Sequence, residues 1–443
     1  MKSTIKPIVA IVGRPNVGKS TLFNKILGSK KAIVLDEPGV TRDRNYADIE
    51  EAGRGFTLVD TGGFEADAED VILAQVREET RLAIEEADVI ILLLDGRSGP
   101  LGDDAELAAM LRRCGKPVIY AANKIDSKKQ EDALGDFYSL GIPEVMPVSA
   151  EAGYGVNELI DAVVKVLPLK EEEVIEEEDR IQVAIVGRPN VGKSSLLNRL
   201  IGQKRALVSD IAGTTRDAVD TPFEKDGKKY LFIDTAGIRK KDKISRTVES
   251  YSVMEAIRSI SKCDIAVLVI DATAGLTMQD EKIAGIIEDK KKACVIVVNK
   301  WDIAEKDDKT VDIMTKAIRQ DWSFIDYAPV IFVSALTGQR AMKVFQTIDA
   351  VIEKTREKIS TSRLNNFLAE FKTMQRPQSY MGREVKFYYI TQVGTAPPAF
   401  MLFTNHPDGI KDNYKRFLIN TIRASLGIDI CPIRIIFKKR ERE

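Results

Sequence analysis

The octapeptide GRPNVGKS occurs twice in this chain of 443 residues, at Gly13–Ser20 and at Gly187–Ser194, letter for letter. Each copy follows a short apolar run, PIVAIV or QVAIV, and precedes an amphipathic stretch, STLFNKIL or SSLLNRL. A GxxxxGK[ST] sequence in that setting forces a tight loop between a buried strand and a helix. Its backbone amides then converge on phosphate oxygens at the helix N-terminus. Other pairs keep nearly the same spacing. Asp60 of LVDTGG and Asp234 of FIDTAG lie 174 positions apart, as do Gly13 and Gly187. Asn123 of NKID and Asn299 of NKWD are separated by 176, and the two VSA serines, Ser149 and Ser334, by 185. The extra residues of the second copy therefore fall late in it. The pattern is a duplicated domain and not a solenoid, whose periods are a few tens of residues.

Within each copy, apolar runs such as FTLVDT, VIILLLD and PVIYAANK alternate with amphipathic stretches such as EDVILAQVREETRLAIEEA. The second copy repeats this with YLFIDT, IAVLVID and ACVIVVNK. Continuous apolar strands alternating with helices predict α/β domains, each a mostly parallel sheet covered by helices on both faces. Ligands of such sheets sit at the carboxyl ends of the strands, where every motif named above lies. The acidic block LKEEEVIEEEDR cannot bury enough apolar surface to fold alone and reads as a linker. Beyond EKTREKISTSR, three strand-like runs and two helices near Arg363–Met374 and Asp412–Leu426 predict a small α+β domain. The expected division is a first nucleotide domain over 1–168, linker 169–180, a second nucleotide domain over 181–356, and a C-terminal domain over 357–443.

The phosphate loops are expected to contact the nucleotide through Gly13, Asn16, Val17, Gly18, Lys19, Ser20 and Thr21. In the second copy these are Gly187, Asn190, Val191, Gly192, Lys193, Ser194 and Ser195. Lys19 and Lys193 reach the β- and γ-phosphates in this reading, and Ser20 and Ser194 ligate Mg2+. Asp60 and Asp234 end strands and complete the metal site, while Gly63 and Gly237 offer an unobstructed amide to the γ-phosphate. Thr41 of EPGVTRD and Thr215 of IAGTTRD add a hydroxyl to the metal and an amide to the γ-phosphate. Hydrolysis then releases that segment, an order–disorder switch. Asp126 and Asp302 can each accept two hydrogen bonds from the ring N–H and exocyclic amine of guanine. Adenine presents an acceptor there and leaves the carboxylate unpaired, so the base is guanine. Asn123 and Asn299 tie this loop to the phosphate loop, Lys124 and Lys300 lie against the base, and the Ser149–Ala150 and Ser334–Ala335 amides finish the site.

The residue after DTGG or DTAG, where a glutamine positions water in some GTPases, is Phe64 or Ile238. Either both domains hydrolyse poorly or other groups stabilise the developing charge. Two readings stand for Asn16 and Asn190: a side-chain oxygen ligating a monovalent cation beside the β/γ bridge, or a local brace for the loop.

Composition excludes several rivals. Four cysteines without CxxC spacing and a single histidine, His406, leave neither a disulfide framework nor a histidine metal site. No apolar run approaches ~18 residues and no lipidation motif is present, which argues against a membrane GTPase and for the cytoplasm. No modifying-enzyme site is visible, and NKxD argues against a metabolic phosphate-loop kinase. The net charge of −1 hides a basic end: Arg363–Glu443 carries 14 Lys and Arg against 7 Asp and Glu. That asymmetry points to an anionic partner or to a plainly solvated surface.

With GRPNVGKS twice, GTTRD, DTGG, DTAG and NKWD in the first two domains, and TQVGTAPPAF and PIRIIFKKR in the last, the chain resembles the Der (EngA) family along essentially its whole length. The resemblance implies two tandem GTPase domains and a KH-like C-terminal domain. It implies Mg2+-dependent GTP hydrolysis of the K+-stimulated kind, with K+ at Asn16 and Asn190. It also implies biogenesis of the large ribosomal subunit through contact with rRNA-containing particles, by a chain that is monomeric when free. One departure is that no GxxG, the backbone clamp of RNA-binding KH modules, occurs after Arg363. RNA contact would rest instead on Lys415, Arg416, Arg423, Arg434, Lys438, Lys439 and Arg440.

Overall fold

The computed structural model describes residues 6–29, 46–61, 83–84, 86–168, 180–202, 220–233, 253–304, 309–374 and 379–440. The first sheet is built from β1 (Ile8–Val12), β2 (Tyr46–Glu51), β3 (Arg54–Asp60), β4 (Val89–Asp95), β5 (Val118–Asn123) and β6 (Met146–Pro147). Every residue of β1 and β4 is buried, as a sheet covered on both faces requires. The order is β2-β3-β1-β4-β5-β6, parallel throughout except for β2, which runs antiparallel to β3.

The second sheet repeats the plan. It contains β7 (Arg180–Val186), β8 (Thr221–Lys225), β9 (Lys228–Ile233), β10 (Ile265–Asp271), β11 (Ala293–Asn299) and β12 (Val330–Phe332). Read from the hairpin edge, its order β8-β9-β7-β10-β11-β12 is that of the first sheet. At the hairpin tip Asp226 and Gly227 both have positive φ, 53° and 76°, the backbone of a type I′ turn; Ala52 and Gly53 occupy the same place in the first domain. Most of EDVILAQVREETRLAIEEA and of the acidic linker lie outside the described residues.

The faces of the two sheets pack differently. On one face each domain has its own core, centred on Phe23 and Phe56 in the first and on Phe232 and Phe345 in the second. On the other face the two cores merge. Ala83, Ile84 and Ala87 of the first domain share one cluster with Met254, Ile257 and Ile260 of the second. Three polar ties frame this junction. The Tyr46 hydroxyl donates to Asp289 Oδ2 at 2.7 Å, Lys290 Nζ meets both Asp48 oxygens at 2.7 and 2.9 Å, and Arg258 reaches Asp88 at 2.7 Å.

The third domain pairs β15 (Phe387–Gly394) antiparallel with β16 (Ala399–Thr404), and β16 parallel with β17 (Arg434–Lys439). The helices Thr361–Met374 and Asp412–Leu426 bury Phe367, Phe371, Leu418, Ile422 and Leu426 in one core with Ile390, Phe400 and Leu402 of the sheet. A two-residue ribbon, β13 (Ser379–Tyr380) with β14 (Arg383–Glu384), was not anticipated. Its turn at Met381–Gly382 has both φ positive, and strands this short leave no periodicity to read. Cys263, Cys294 and Cys431 are buried, free thiols; burial pushes Cys263 up to about 12 and Cys431 up to about 11, so they are inert packing. Among the described residues no helix is long and apolar enough to cross a membrane.

Burial alone would raise the Asp48 carboxyl, but Lys290 and Lys6 outweigh it and hold it below the usual carboxylate range. Its stabilising effect is therefore complete above the ordinary aspartate value of about 3.9 and fades as pH falls through the lower folded value. Lys290→Ala is expected to cost about 1–3 kcal/mol at neutral pH, with the gap from the parent closing only in acid, as read by thermal melting across pH.

Two candidate nucleotide sites

Each phosphate loop runs from the end of its first parallel strand into a helix, Lys19–Ser29 or Lys193–Gly202. Asn16 and Asn190 sit in the left-handed region, φ 65° and 61°, a conformation asparagine tolerates better than most residues. Gly18 and Gly192 follow at φ 96° and 95°. A Cβ on either would lie 2.4 or 2.3 Å from the side-chain amide nitrogen of Asn123 or Asn299, so no other residue fits. Those asparagines hold the site together. Asn123 Nδ2 donates to the Val17 carbonyl at 2.7 Å and its Oδ1 accepts from the Ala150 amide at 2.9 Å. Asn299 does the same to Val191 and from Ala335, at 2.7 and 2.9 Å. The phosphate loop, the NKxD loop and the SA loop of each domain are thus joined through one buried amide.

Lys19 and Lys193 curl over their loops. Lys19 Nζ donates to the Gly13 and Arg14 carbonyls at 2.9 and 3.1 Å, and Lys193 Nζ to those of Gly187 and Arg188, both at 2.8 Å. Ser20 Oγ donates to Asp60 Oδ2 at 2.5 Å, which brings together two of the residues expected at the metal. A hydroxyl beside a buried carboxylate is a pair of hard oxygen donors and suits Mg2+. Thr41, Gly63, Thr215, Asp234 and Gly237 lie outside the described residues, as do Phe64 and Ile238.

In the first base loop, Asp126 Oδ1 accepts from the Ser149 hydroxyl at 2.7 Å and Oδ2 from Arg97 Nη2 at 3.0 Å. The Ser149 hydroxyl, and after it Arg97, hold the Asp126 carboxyl below its ordinary value. Asp302 holds the matching sequence position in the second loop, and Ser334, the counterpart of Ser149, is buried.

Two further layers were missed by reading motifs alone. Lys124 Nζ is held by Asp95 Oδ2 at 2.6 Å and reaches the Asn16 carbonyl at 3.2 Å, while Lys300 is held by Asp271 at 2.7 Å. Burial would raise both aspartates, but hydrogen bonds from these lysines and from following residues outweigh it and hold both low. Arg14 and Arg188, inside the octapeptides, lean on Asp104 and Asp280 at 3.3 and 3.4 Å; both carboxylates are wholly buried and burial pushes them up. The signal was available, since Asp95 and Asp271, like Asp104 and Asp280, repeat at the 176-residue spacing of NKxD.

The basic residues of the third domain divide. Arg423 was expected on a phosphate-contacting surface and instead faces the second domain. Its guanidinium lies 3.3 Å from Asp326 and 4.5 Å from the centre of the Tyr327 ring, so a carboxylate and an aromatic face of the second domain take up its charge. Lys415 pairs with Asp412 of its own helix at 3.1 Å.

The family described as 50S ribosome-binding GTPase matches residues 8–124 and again 182–300. The family described as KH-domain-like of EngA bacterial GTPase enzymes, C-terminal, matches 358–438. GTPase Der of Geotalea daltonii is 49% identical over 437 residues, covering 99% of both chains. GTPase Der of Moorella thermoacetica is 51% identical over 438 residues, 99% of this chain and 100% of that one. GTPase Der of Caldanaerobacter subterraneus subsp. tengcongensis is 52% identical over 436, covering 98% and 99%.

Removing the Ser149 hydroxyl is expected to move the acid limb of guanine-nucleotide binding at the first site. In Ser149→Ala the Asp126 carboxyl rises towards its ordinary value, so affinity is lost at a higher pH than in the parent. Titrating a fluorescent GDP analogue against pH, in a chain whose second site is disabled by Gly192→Ala, reads this directly.

Proposed function

The chain belongs to the GTPase Der family, and from that premise we propose that it is an assembly factor for the large (50S) ribosomal subunit. In this reading it hydrolyses GTP as a timing step and binds the ribosome or its rRNA according to the nucleotide held. The division into domains at 1–168, 181–356 and 357–443 is part of the proposal. The observation that carries it is the duplicated bridge of Asn123 and Asn299, which holds a phosphate loop and a guanine-reading loop together in both domains.

The chemistry follows from the residues. The phosphate-loop amides, with Lys19 or Lys193, lie against the β- and γ-phosphates and take up the negative charge that develops there. Ser20, Thr41 and Asp60 in the first domain, and Ser194, Thr215 and Asp234 in the second, would hold Mg2+, which when bound would neutralise charge on the phosphate oxygens. Water attacks the γ-phosphorus, the bond to the β–γ bridging oxygen breaks, and GDP and phosphate result. The Gly63 and Gly237 amides orient the γ-phosphate for that attack. Asn16 and Asn190 would supply side-chain oxygens to a K+ ion, whose charge would offset that of the phosphates in a chain with Phe64 and Ile238 at the sequence positions where a glutamine positions water in some GTPases. Both asparagines are exposed and carry a left-handed backbone at the turn of the phosphate loop. Asp126 and Asp302 select guanine, with Lys124 and Lys300 lying along the base under the hold of Asp95 and Asp271.

Two outcomes are expected. Phosphate release from GTP rises when K+ replaces Na+, and Asn16→Ala with Asn190→Ala removes that rise while GDP binding stays within a few-fold of the parent; an unchanged K+ response in the double variant would remove the cation from the mechanism. The chain sediments with large ribosomal subunits in K+ buffer with a non-hydrolysable GTP analogue and not with GDP, and equal sedimentation in both would refute nucleotide gating.

A further inference from the structure

The register of the third sheet decides which side chains face away from its helices. Tyr389 pairs with Phe403 and Phe403 with Lys438; Thr391 pairs with Met401 and Met401 with Ile436; Ala399 pairs with Arg434. None of Met401, Phe403 and Ile436 belongs to the domain's core among the described residues, which draws on the alternate positions Ile390, Phe400 and Leu402. On this outer face the rings of Tyr389 and Phe403 are stacked, with centroids 4.0 Å apart and planes at 16°. Tyr389 is 44% exposed. A bulge between Phe387 and Tyr389 makes Tyr388 the extra residue of the strand, and the Arg440 guanidinium lies 4.7 Å from the centre of its ring. Arg434 and Lys438 are exposed on the neighbouring strand.

The stacked pair of exposed Tyr389 and half-buried Phe403, flanked by cations, forms a platform with two demands, a flat π-surface to stack on and negative charge beside it. Unpaired nucleotides meet both, since every base offers a face and every linkage a phosphate. A duplex meets only the second, because its base faces are already stacked. The charge lies in the right place: of the seven basic residues that could serve an anionic partner, Arg423 is engaged by the second domain, whereas Arg434 and Lys438 share the face of the rings. We propose that the outer face of the β15-β16-β17 sheet binds single-stranded RNA, with Tyr389 and Phe403 stacking bases and Arg434, Lys438 and Arg440 contacting phosphates. The choice of RNA over another anion rests on the ribosomal reading above. The surface differs from the GxxG clamp that this chain lacks.

The test uses the full chain, a fluorescein-labelled unstructured RNA and a duplex of the same length, with anisotropy read over a range of salt. Tyr389→Ala and Phe403→Ala are each expected to weaken binding of the single strand about tenfold, with the salt slope unchanged. Tyr389→Phe, which keeps the ring, binds as the parent does. Lys438→Ala lowers the salt slope by about one and leaves the preference over duplex intact. Unaltered melting temperature and GTP hydrolysis show that each variant is folded. Single-strand binding equal to the parent in both alanine variants, or equal binding of duplex, overturns the proposal. So does a parent chain that binds no free RNA but sediments with ribosomal subunits through Tyr389; the face is then a protein contact, and the ribosomal reading stands. Ring-dependent RNA binding without subunit sedimentation upholds the face and removes the ribosomal reading instead.

Discussion

One buried side-chain amide in each nucleotide domain sets the geometry of everything around it. Asn123 and Asn299 are almost fully enclosed, and each spends its donor on the phosphate loop and its acceptor on the loop after the next strand. A buried amide left unpaired is costly, so the three loops are found together or the site is lost. The constraint spreads outward. It forbids a side chain at Gly18 and Gly192, and it places Lys124 and Lys300 one residue on, in the left-handed region and within reach of Asp95 and Asp271. The phosphate loop and the NKxD loop of each domain are therefore not separate features of the chain.

Much of this was legible in the sequence, for a physical reason. The strands of a sheet buried on both faces are unbroken apolar runs, so β1, β4, β10 and β11 announce themselves, and the motifs at their ends inherit a location. The duplication gave a second, independent copy of each inference. What escaped notice was of two kinds. Asp95, Asp104, Asp271 and Asp280 act through other side chains, and no local pattern distinguishes an aspartate that holds a lysine from one that caps a helix. Contacts between domains were also hidden. Nothing in the string around Asp48, Lys290 or Arg423 signals a partner hundreds of positions away or in another domain.

The two copies are not interchangeable. Two residues after the strand-end aspartate, the first domain has Arg97, whose guanidinium reaches the Asp126 carboxylate. The second has Thr273, whose hydroxyl turns back to Asp271 at 2.7 Å. The scaffold of loops is the same, but the residue at this place is a cation in one domain and a hydroxyl in the other. Duplication supplied the frame and divergence fell on the shell that tunes it.

The merged core has a consequence for how the chain is made. The surface of the first domain that carries Asp48 and Asp88 meets residues as far along as Asp289 and Lys290. Synthesis must add about 200 residues between Asp88 and those partners, roughly 10–40 s at the usual pace of bacterial and eukaryotic translation. For that interval the first domain can complete the core built on Phe23 and Phe56 but not the junction. The nascent chain thus carries a finished phosphate loop beside an unfinished seam, and the seam closes only when the second copy of the same fold has emerged.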